Sequence, residues 1–281
     1  MRSLNNVFWP SLFSSFLTIS AVLPCWAVCG GTPASQLLDS EFKIFWKYTV
    51  EVIDSLGHSC TGVIVSPKEV LTAAHCAEDK ESYVIVGAVD GQDDKRKSIG
   101  TGVTEIYESW GASVKVPHNR SYFKYRRHDL AIIHLRKEIE RPFGYVALNA
   151  SELQVGPSTD TPIVVMGFGT SNLGEYGSGT LSMAQVLPLS AIENKSVYLG
   201  DEFNTNQAIC PGDSGAPGFL LNSDGTPQLQ NGRPILALLT SNAPREGPLF
   251  VSIAFYENWI TNRLRFPPSG TSGRKKKTSA Q

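Results

Sequence analysis

The chain has 281 residues, 41% of them hydrophobic and 18% charged, which is enough to bury a substantial core in one or two domains. Its formal charge is −1, and leaving out Arg2 and the four cations of the tail gives −6 for the rest of the chain. Because a nucleic-acid partner needs a basic surface, this balance argues against one. Its 25 glycines and 17 prolines lie between short β-branched and aromatic runs, which favours an all-β fold.

The first 27 residues are typical of an export signal. Arg2 precedes an apolar run, Val7 to Leu23, that polar residues and a proline interrupt, so it is too short for a membrane span. The stretch Cys25 to Ala27 has small residues where a signal peptidase reads, which predicts cleavage after Ala27. A lipid anchor on Cys25 is the alternative, although Pro24 is a poor neighbour for it. We expect a secreted or periplasmic protein without a stable membrane anchor, in a compartment where cysteines pair.

Short apolar or alternating runs predict strands in both halves of the chain. In chain order these are Phe45–Ile53, His58–Val65, Tyr83–Val89, Gly102–Glu108, Leu130–Leu135, Ile163–Phe168, Leu181–Leu189, Pro234–Ser241 and Leu249–Ile253. The connector Glu138–Pro157 has little periodicity and separates two groups of strands. Helical spacing occurs over Phe255–Leu264, which places Phe255, Trp259, Ile260 and Leu264 on one side.

Two charged stretches are interpreted as solvated. The loop Asp90 to Lys97 holds three aspartates that could bind calcium, but three adjoining cations neutralise them, so we expect no metal and no cofactor. The tail Pro267 to Gln281 is rich in Gly, Ser and Lys and is predicted to be disordered, with adhesion to anionic surfaces as the alternative.

Three motifs contain residues whose chemistry depends on one another. They are Leu71-Thr72-Ala73-Ala74-His75-Cys76, His128-Asp129-Leu130-Ala131-Ile132-Ile133-His134-Leu135 and Cys210-Pro211-Gly212-Asp213-Ser214-Gly215. The last is a tight turn that leaves a serine hydroxyl exposed beside two amide donors. In content and in the order His, Asp, Ser, the motifs resemble the chymotrypsin/trypsin family of serine proteases. Similar matches at Val28-Cys29-Gly30-Gly31-Thr32, Gly167-Phe168-Gly169 and Trp259-Ile260 extend the resemblance from Val28 to about Phe266.

The resemblance implies a protease domain over residues 28–266, with two six-stranded antiparallel β-barrels, roughly 28–145 and 146–253, and a closing helix, 254–266. Catalytic residues would lie in the cleft between the barrels. Ser214 would attack the scissile carbonyl, His75 would take and return the proton, and Asp129 would hold His75 in its productive tautomer. The amides of Gly212 and Ser214 would form the oxyanion hole.

The resemblance also gives Asp213 a separate role. A carboxylate buried beside the nucleophile needs a partner, and in this family the partner is the amine of a newly formed N-terminus. Cleavage after Ala27 would make Val28 that terminus directly. We therefore expect removal of the signal to activate the protein without a separate propeptide.

The cysteines only partly follow the family pattern. Cys60 and Cys76 match the family's bridge beside the histidine. Cys210 lacks its usual partner, because no cysteine follows Ser214. We expect a Cys29–Cys210 bridge, with two unpaired buried cysteines as the alternative.

The predicted specificity pocket departs further from the family. Ala208 occupies the pocket floor where a trypsin-like enzyme has Asp, so cleavage after Lys or Arg is not expected. With Thr240, Asn242 and Pro248, it implies an uncharged pocket for small or apolar side chains. Lys124 to Arg127 would favour acidic residues upstream of the scissile bond, unless it is simply a solvated basic loop.

These features predict an exported serine endopeptidase that acts as a monomer on protein or peptide substrates. Two other functions stay open at this point. A catalytically silent binding module could use the same fold with an altered pocket, and an esterase-like hydrolase could use the same acyl chemistry.

Overall fold

The computed structural model describes residues 28, 30–77, 83–106, 113–118, 121–126, 128–148, 157, 161–170, 179–186, 189–192, 197–200, 209–242 and 248–265. The predicted signal, 1–27, and the predicted tail, 267–281, lie outside these residues, so both stay predictions. None of the helices that the structure describes has the length and apolar character to cross a membrane.

Strands dominate the described ranges, which confirms the all-β class. The strands are β1 (Thr32–Pro33), β2 (Thr49–Asp54), β3 (Ser59–Ser66), β4 (Glu69–Thr72), β5 (Tyr83–Ala88), β6 (Arg96–Ile106), β7 (Ser113–His118), β8 (Ser121–Arg126), β9 (Ala131–Leu135), β10 (Ala147–Leu148), β11 (Ile163–Gly167), β12 (Ser182–Val186), β13 (Leu189–Ile192), β14 (Val197–Gly200), β15 (Pro217–Leu220), β16 (Leu229–Gln230), β17 (Arg233–Asn242) and β18 (Leu249–Ser252). The α-helix α1 is Ile253–Arg265, and short 3-10 helices cover Ala34–Leu37, Glu41–Lys47, Ala74–Cys76, Val89–Gly91 and Asp93–Lys95.

The first half of the chain closes into a six-stranded antiparallel barrel in the order β2-β3-β4-β9-β6-β5, as predicted. Closure pairs both sides of every strand and so leaves no exposed sheet edge. The central strands β4 and β9 are buried along their whole length, because one face fills the barrel and the other packs beneath the rest of the protein. Rigid strands therefore lead directly to the His75 and Asp129 positions.

The second half is a ten-stranded sheet rather than the predicted closed six-stranded barrel. Its path runs β1-β12-β11-β15-β17-β18-β14-β13, with β10 and β16 pairing β17 at its side. The strands β12 and β13 stand near opposite ends of this path, yet only Leu187 and Pro188 separate them in the chain. The sheet must therefore curl round on itself, and a proline at this junction cannot donate a ladder hydrogen bond.

The first residues of the domain belong to the second half, although the predicted boundaries placed them in the first. Thr32 and Pro33 pair with Met183 and Ser182 of β12, and Val28 is fully buried in the apolar cluster of that half. The chain thus crosses the second sheet before it enters the first barrel. This route carries Val28 toward Asp213.

The aromatic stretch before β2 is not the strand that its pattern predicted. Residues from Phe45 lie in the 3-10 helix Glu41–Lys47, and the strand begins at Thr49. The Phe45 ring stacks on Phe219 of β15 with centroids 4.4 Å apart, while Trp46 meets Phe143 edge to face. These rings fill the space between the two halves, and this burial outweighs their tendency to form a strand.

The segment between β6 and β9 contains a hairpin that the sequence patterns did not reveal. Strands β7 and β8 pair antiparallel, and Ile106 at the end of β6 pairs with Ala131 at the start of β9. The segment that joins β6 to β9 therefore begins and ends next to Asp129. The basic stretch Lys124 to Arg127 falls partly on β8, so it is not wholly the loop that was predicted.

The closing helix is confirmed, with a different buried face. Ile253, Tyr256 and Ile260 are buried, whereas Phe255 is 48% exposed and does not face the core. Ile253, Tyr256 and Ile260 follow the i, i+3, i+7 spacing of one helix face, and the predicted Trp259 and Leu264 are partly buried beside it. The helix thereby brings the Tyr256 hydroxyl to His128.

Candidate active site

His75 lies where β4 gives way to a short 3-10 turn. The strand ends at Thr72, Ala73 is extended, and the turn Ala74–Cys76 redirects the chain. A disulfide between Cys60 and Cys76, with Cα atoms 6.2 Å apart, ties this turn to β3. The predicted Cys60–Cys76 pairing is confirmed, and it holds the backbone of His75 between two fixed points.

Asp129 is buried and receives its hydrogen bonds from three groups. The backbone N–H of His75 donates to Asp129 Oδ1 at 2.9 Å, and His75 Nδ1 lies 2.7 Å from Asp129 Oδ2. The Ser241 hydroxyl also donates to Oδ2, at 2.6 Å. The Asp129 side chain is 2% exposed, whereas the His75 side chain is 32% exposed, so the imidazole reaches solvent while its partner does not.

This arrangement keeps Asp129 ionised. Burial by itself would raise the pKa of Asp129, but the adjacent His75 and the hydrogen bonds from His75 and Ser241 outweigh burial and lower that pKa. A permanent carboxylate on Nδ1 favours the tautomer that carries its proton there and leaves Nε2 as the basic nitrogen. The pair is therefore suited to general-base chemistry.

The residue before Asp129 is held just as firmly. His128 adopts a left-handed backbone conformation, with φ of 60°, and its imidazole is hydrogen-bonded to the Tyr256 hydroxyl of α1. The other histidines with described side chains have carboxylate partners, since His58 pairs with Asp54 and His134 lies beside Glu69. His58 thus resembles His75 in having a buried carboxylate partner, but its side chain is 68% exposed on the β2–β3 turn, whereas His75 is half-buried and its carboxylate also binds Ser241.

Ser214 lies on the tight turn that the sequence predicted. Its carbonyl accepts from the Thr61 N–H at 2.8 Å, and its hydroxyl lies 3.3 Å from the Ser241 carbonyl, to which it donates. The next residue, Gly215, has φ of 82°, and a Cβ there would overlap the Thr61 carbonyl and the Thr72 hydroxyl. Glycine is thus required, because the turn presses directly against the first barrel.

The two amides of the predicted oxyanion hole are unoccupied donors. In the part of the chain that the structure describes, neither Gly212 N–H nor Ser214 N–H makes a hydrogen bond, whereas their neighbours do. Asp213 N–H bonds to the Cys210 carbonyl, and Gly215 N–H bonds to the Thr240 carbonyl. The amides of Gly212 and Ser214, on either side of the bonded amide of Asp213, are therefore suited to bind an anion beside the Ser214 hydroxyl.

Asp213 points away from the hydroxyl into the interior. It is fully buried, and its carboxylate accepts hydrogen bonds from the N–H groups of Gly169, at 2.8 Å, and Cys210, at 2.9 Å, and from that of Val28. No cationic side chain among the described residues pairs with it. Burial therefore raises the pKa of Asp213 to about 7, although the amides of Cys210, Gly169 and Val28 oppose the rise.

Of the predicted pocket, the structure describes only the inner part. Thr240 is fully buried on β17, and its hydroxyl has no hydrogen-bond partner in the described chain; Pro248 is buried at the entry to β18. Asn242 ends β17 and is described by its backbone, and Ala208 lies outside the described residues. Cys210 is disulfide-bonded, so it is not the free thiol of the alternative, but its partner also lies outside those residues.

One cluster with metal-ligand side chains occurs in the described residues, formed by Cys60, His75 and Cys76. The two sulfurs are joined to each other and cannot act as thiolate ligands. This cluster is thus a disulfide beside the histidine.

Sequence reasoning missed Ser241, whose hydroxyl completes the surroundings of Asp129. The predicted pocket residue was its neighbour Thr240. The pairing of β17 with β18 shifts register between Thr240 and Asn242, so Ser241 lies at an irregularity of the ladder, where strand alternation does not predict the direction of a side chain. Which of the two faced Asp129 depended on a contact across 112 residues.

Comparisons with known proteins agree with this geometry. The family model described as Trypsin matches residues 39–241, a stretch that contains His75, Asp129 and Ser214. Chymotrypsin-like elastase family member 1 of Macaca fascicularis is 27% identical over 220 residues, covering 74% of this chain and 79% of that protein. Human chymotrypsin-like elastase family member 3B is 24% identical and covers 90% of this chain and 97% of its own length.

Among solved structures, the scabies mite inactivated protease paralogue S-D1 shares the fold, with a TM-score of 0.60 and 20% identity over 84% of this chain and 97% of that one. A barrel and a curled sheet that bring together the residues of the three motifs, and a family match across all three, lead to one conclusion: the chain belongs to the trypsin family of serine proteases.

Proposed function

We propose that the protein is an exported serine endopeptidase that cleaves peptide bonds through an acyl-enzyme. Ser214 attacks the scissile carbonyl, and His75 takes the hydroxyl proton and later gives it to the leaving amine. Asp129 stabilises the imidazolium that forms between these steps. The amides of Gly212 and Ser214 bind the oxyanion of the tetrahedral intermediate.

The observation that carries this proposal is the pair formed by His75 and Asp129, which Ser241 links to Ser214. Within the described ranges, the amides of Gly212 and Ser214 donate no hydrogen bond. A buried carboxylate 2.7 Å from Nδ1 orients the ring, and a partly exposed imidazole can exchange protons with a substrate. His58 and Asp54 form a similar pair in the β2–β3 turn, so what distinguishes His75 and Asp129 is their link through Ser241 to Ser214. With the amides of Gly212 and Ser214, this pair supplies the base, its orienting group and the anion site of acyl transfer.

Activation would follow from removal of the predicted signal. Cleavage after Ala27 turns the Val28 amide, which already donates to Asp213, into an ammonium ion. An ammonium ion at this place would neutralise the buried carboxylate and stabilise the turn that carries Gly212. N-terminal sequencing of active protein tests this step, and an N-terminus other than Val28 would contradict it.

Specificity for small or apolar side chains rests on Ala208, Thr240, Asn242 and Pro248, none of which is charged. The cationic residues of β8, just before Asp129, would favour acidic residues upstream of the scissile bond. We further propose that Cys29 is the disulfide partner of Cys210, because both flank residues that meet at Asp213. Digestion of a peptide library defines the preference, and cleavage chiefly after Lys or Arg would refute an uncharged pocket.

A fluorophosphonate probe tests the enzyme directly. The wild-type protein should be labelled at Ser214, and Ser214→Ala should lose all labelling. Ser252→Ala, which changes another buried serine, is the matched control and should label normally. Absence of labelling in folded wild-type protein would refute the catalytic function.

A binding module without catalysis is the second candidate. The Ser214 hydroxyl donates to the Ser241 carbonyl, and in the described residues no hydrogen bond joins it to His75. The S-D1 structure that shares this fold is titled an inactivated protease paralogue. Catalysis would require the Ser214 hydroxyl to turn toward His75. The intact pair of His75 and Asp129 leads us to favour the enzyme, and tight peptide binding without turnover or labelling would favour the module.

A further inference from the structure

A buried ion pair on the first barrel reaches across to the second half of the protein. Glu51 of β2 has a side chain only 1% exposed, and its Oε2 lies 2.9 Å from Arg96 Nη1 at the start of β6. The Ser59 hydroxyl donates to the other oxygen, Oε1, at 2.7 Å. Glu51 thus binds the Nη1 side of the guanidinium. The second amino group of Arg96, Nη2, is left to make contacts outside the barrel.

That second amino group binds the second half. Arg96 Nη2 donates to the Gly179 carbonyl, and the guanidinium lies over the Phe168 ring, 5.3 Å from its centroid. Gly179 N–H donates to the Phe168 carbonyl at 2.8 Å, so these two residues form a closed stem at the two ends of the intervening segment. A single side chain therefore holds both members of the stem through a hydrogen bond and a cation–π contact.

The turn that carries Gly212 and Ser214 packs against the residues that follow Phe168 in the chain. Gly169 N–H donates to Asp213, and Thr170 N–H donates to the Pro211 carbonyl at 2.8 Å. A Cβ at Gly169 would overlap the Asp213 carboxylate, so the backbone of Gly169 is in direct contact with that side chain. Any shift of the stem is thereby transmitted to the turn that holds Gly212.

Thr61 provides a second link between the same parts. Its hydroxyl accepts from Phe168 N–H at 2.9 Å and donates to the Gly212 carbonyl at 2.8 Å. Thr61 is the register partner of Glu51, so both lie on one face of the β2–β3 pair. This face aligns the stem and the turn with respect to each other.

We propose that Arg96, held by Glu51, is a positioning residue that clamps the stem of Phe168 and Gly179 and so aligns the amides of Gly212 and Ser214. The inference rests on the proposed function, because amide alignment affects a rate only where those amides bind an oxyanion. The clamp acts on the transition state, so it should change kcat and leave KM nearly unchanged.

The test uses three variants of the mature protein. Glu51→Gln/Arg96→Met removes both charges, which avoids the strong destabilisation that a lone buried carboxylate would cause. Arg96→Lys keeps one charge near Glu51 but lacks the planar fork that reaches two partners. Lys97→Met is the control, because Lys97 is the next residue of β6 and pairs with Glu140 on the surface, at 3.7 Å.

In the double variant, we expect fluorophosphonate labelling and kcat to fall about tenfold with KM within about twofold of wild type, which is part of the 10²- to 10³-fold loss that follows deletion of an oxyanion donor. Arg96→Lys should lie between the double variant and wild type, and Lys97→Met should match wild type. Unchanged labelling and kcat in the double variant would overturn the proposal.

Amide hydrogen exchange gives a readout that does not need activity. The bonded amides of Gly169, Cys210 and Asp213 should exchange at least about tenfold faster in the double variant, while those of β9 keep their wild-type rates. An equal increase in β9 would assign Arg96 to general stability and overturn the inference. If the wild-type protein is not labelled, the proposed catalytic function is refuted. The exchange rates alone then test whether Arg96 holds the stem and the turn in place.

Discussion

Asp129 and Asp213 are both fully buried aspartates within the same site, yet their surroundings push their pKa values in opposite directions. At Asp129, burial raises the pKa, but His75 and the hydroxyl of Ser241 more than offset it and lower it. At Asp213, three amides only partly offset burial, and the pKa rises to about 7. The difference lies in the partner: an ionisable ring adjoins Asp129, whereas neutral amides surround Asp213.

This contrast bears on the proposed activation step. The hydrogen-bond partners of Asp129 are side chains and an amide of the folded chain, and among the described residues Asp213 has no cationic partner. Under the proposed function, cleavage before Val28 would supply one. Each carboxylate can be altered separately to test whether the distinction holds.

The largest effect is expected from Asp129→Asn. The amide side chain can hold His75 in the wrong tautomer and cannot stabilise its charged form, so kcat should fall about 10⁴-fold. Steady-state hydrolysis of a good peptide substrate measures it. Asp224→Asn, an exposed turn residue, is the control and should leave kcat unchanged. A loss below about tenfold for Asp129→Asn would mean that Asp129 does not orient the base.

The pH dependence of stability should separate the precursor from the mature protein. Because the pKa of Asp213 is raised to about 7 beside a neutral amide, the folded precursor binds a proton that the unfolded chain releases near pH 4. Its unfolding free energy should therefore be highest below about pH 4 and fall by up to about 4 kcal/mol as the pH rises through about 7. Other titratable groups also change the unfolding free energy with pH. The prediction therefore concerns the difference between the pH profiles of the precursor and the mature protein.

Denaturant unfolding between pH 4 and pH 8 makes this measurement on two chains, one beginning at Val28 and one keeping Trp26 and Ala27 ahead of it. The first chain has an ammonium ion beside Asp213, which lowers the pKa of that carboxyl and removes the decline. Identical pH profiles for the two chains would show that Val28 does not form the ion pair.

Asp213→Asn in the mature protein should lower kcat at least about 10²-fold. The substitution leaves the buried Val28 ammonium without its counter-charge, and breaking such a pair costs about 3–5 kcal/mol. Reactivity of the terminal amine toward an acylating reagent offers an independent readout, since the amine should become accessible. Wild-type kcat together with a protected amine would contradict the assigned role of Asp213.

The smallest effect is expected from Ser241→Ala, which removes one hydrogen bond to the Asp129 carboxylate. A bond of this kind contributes about 1.5–3 kcal/mol, and because the bonds from His75 to Asp129 remain, we expect the lower end of this range, a fall in kcat of about tenfold. Its loss also raises the pKa of Asp129, which should move the acidic limb of the pH–rate profile to higher pH. Thr240→Ser keeps the neighbouring hydroxyl and should leave that limb in place, whereas an unshifted limb in Ser241→Ala would count against the contact.

Local patterns were sufficient for much of the fold. Small residues and turn residues flank the apolar runs. An apolar run predicts a strand and its flanking residues predict a bend, whichever strand it pairs with. Several strands of the first half and the closing helix followed from such signals, whereas the closed barrel and the match of Cys60 and Cys76 to a bridge came from the family resemblance. The aromatic run at Phe45 failed because its rings fill a gap between the halves, and no local signal records a distant partner such as Phe219.

The sequence by itself determined the residues of the three motifs, the family and the uncharged character of the predicted pocket, because each depends on residue type and order within a short stretch. The tertiary structure alone decided that Ser241 faces Asp129, that β1 joins the second sheet, and that Arg96 of the first barrel holds Gly179 of the second half. These contacts span 112 residues at Asp129 and 83 at Arg96. Only the packing of the closed barrel against the ten-stranded sheet determines which polar groups meet over such distances, and the different surroundings of Asp129 and Asp213 depend on that packing.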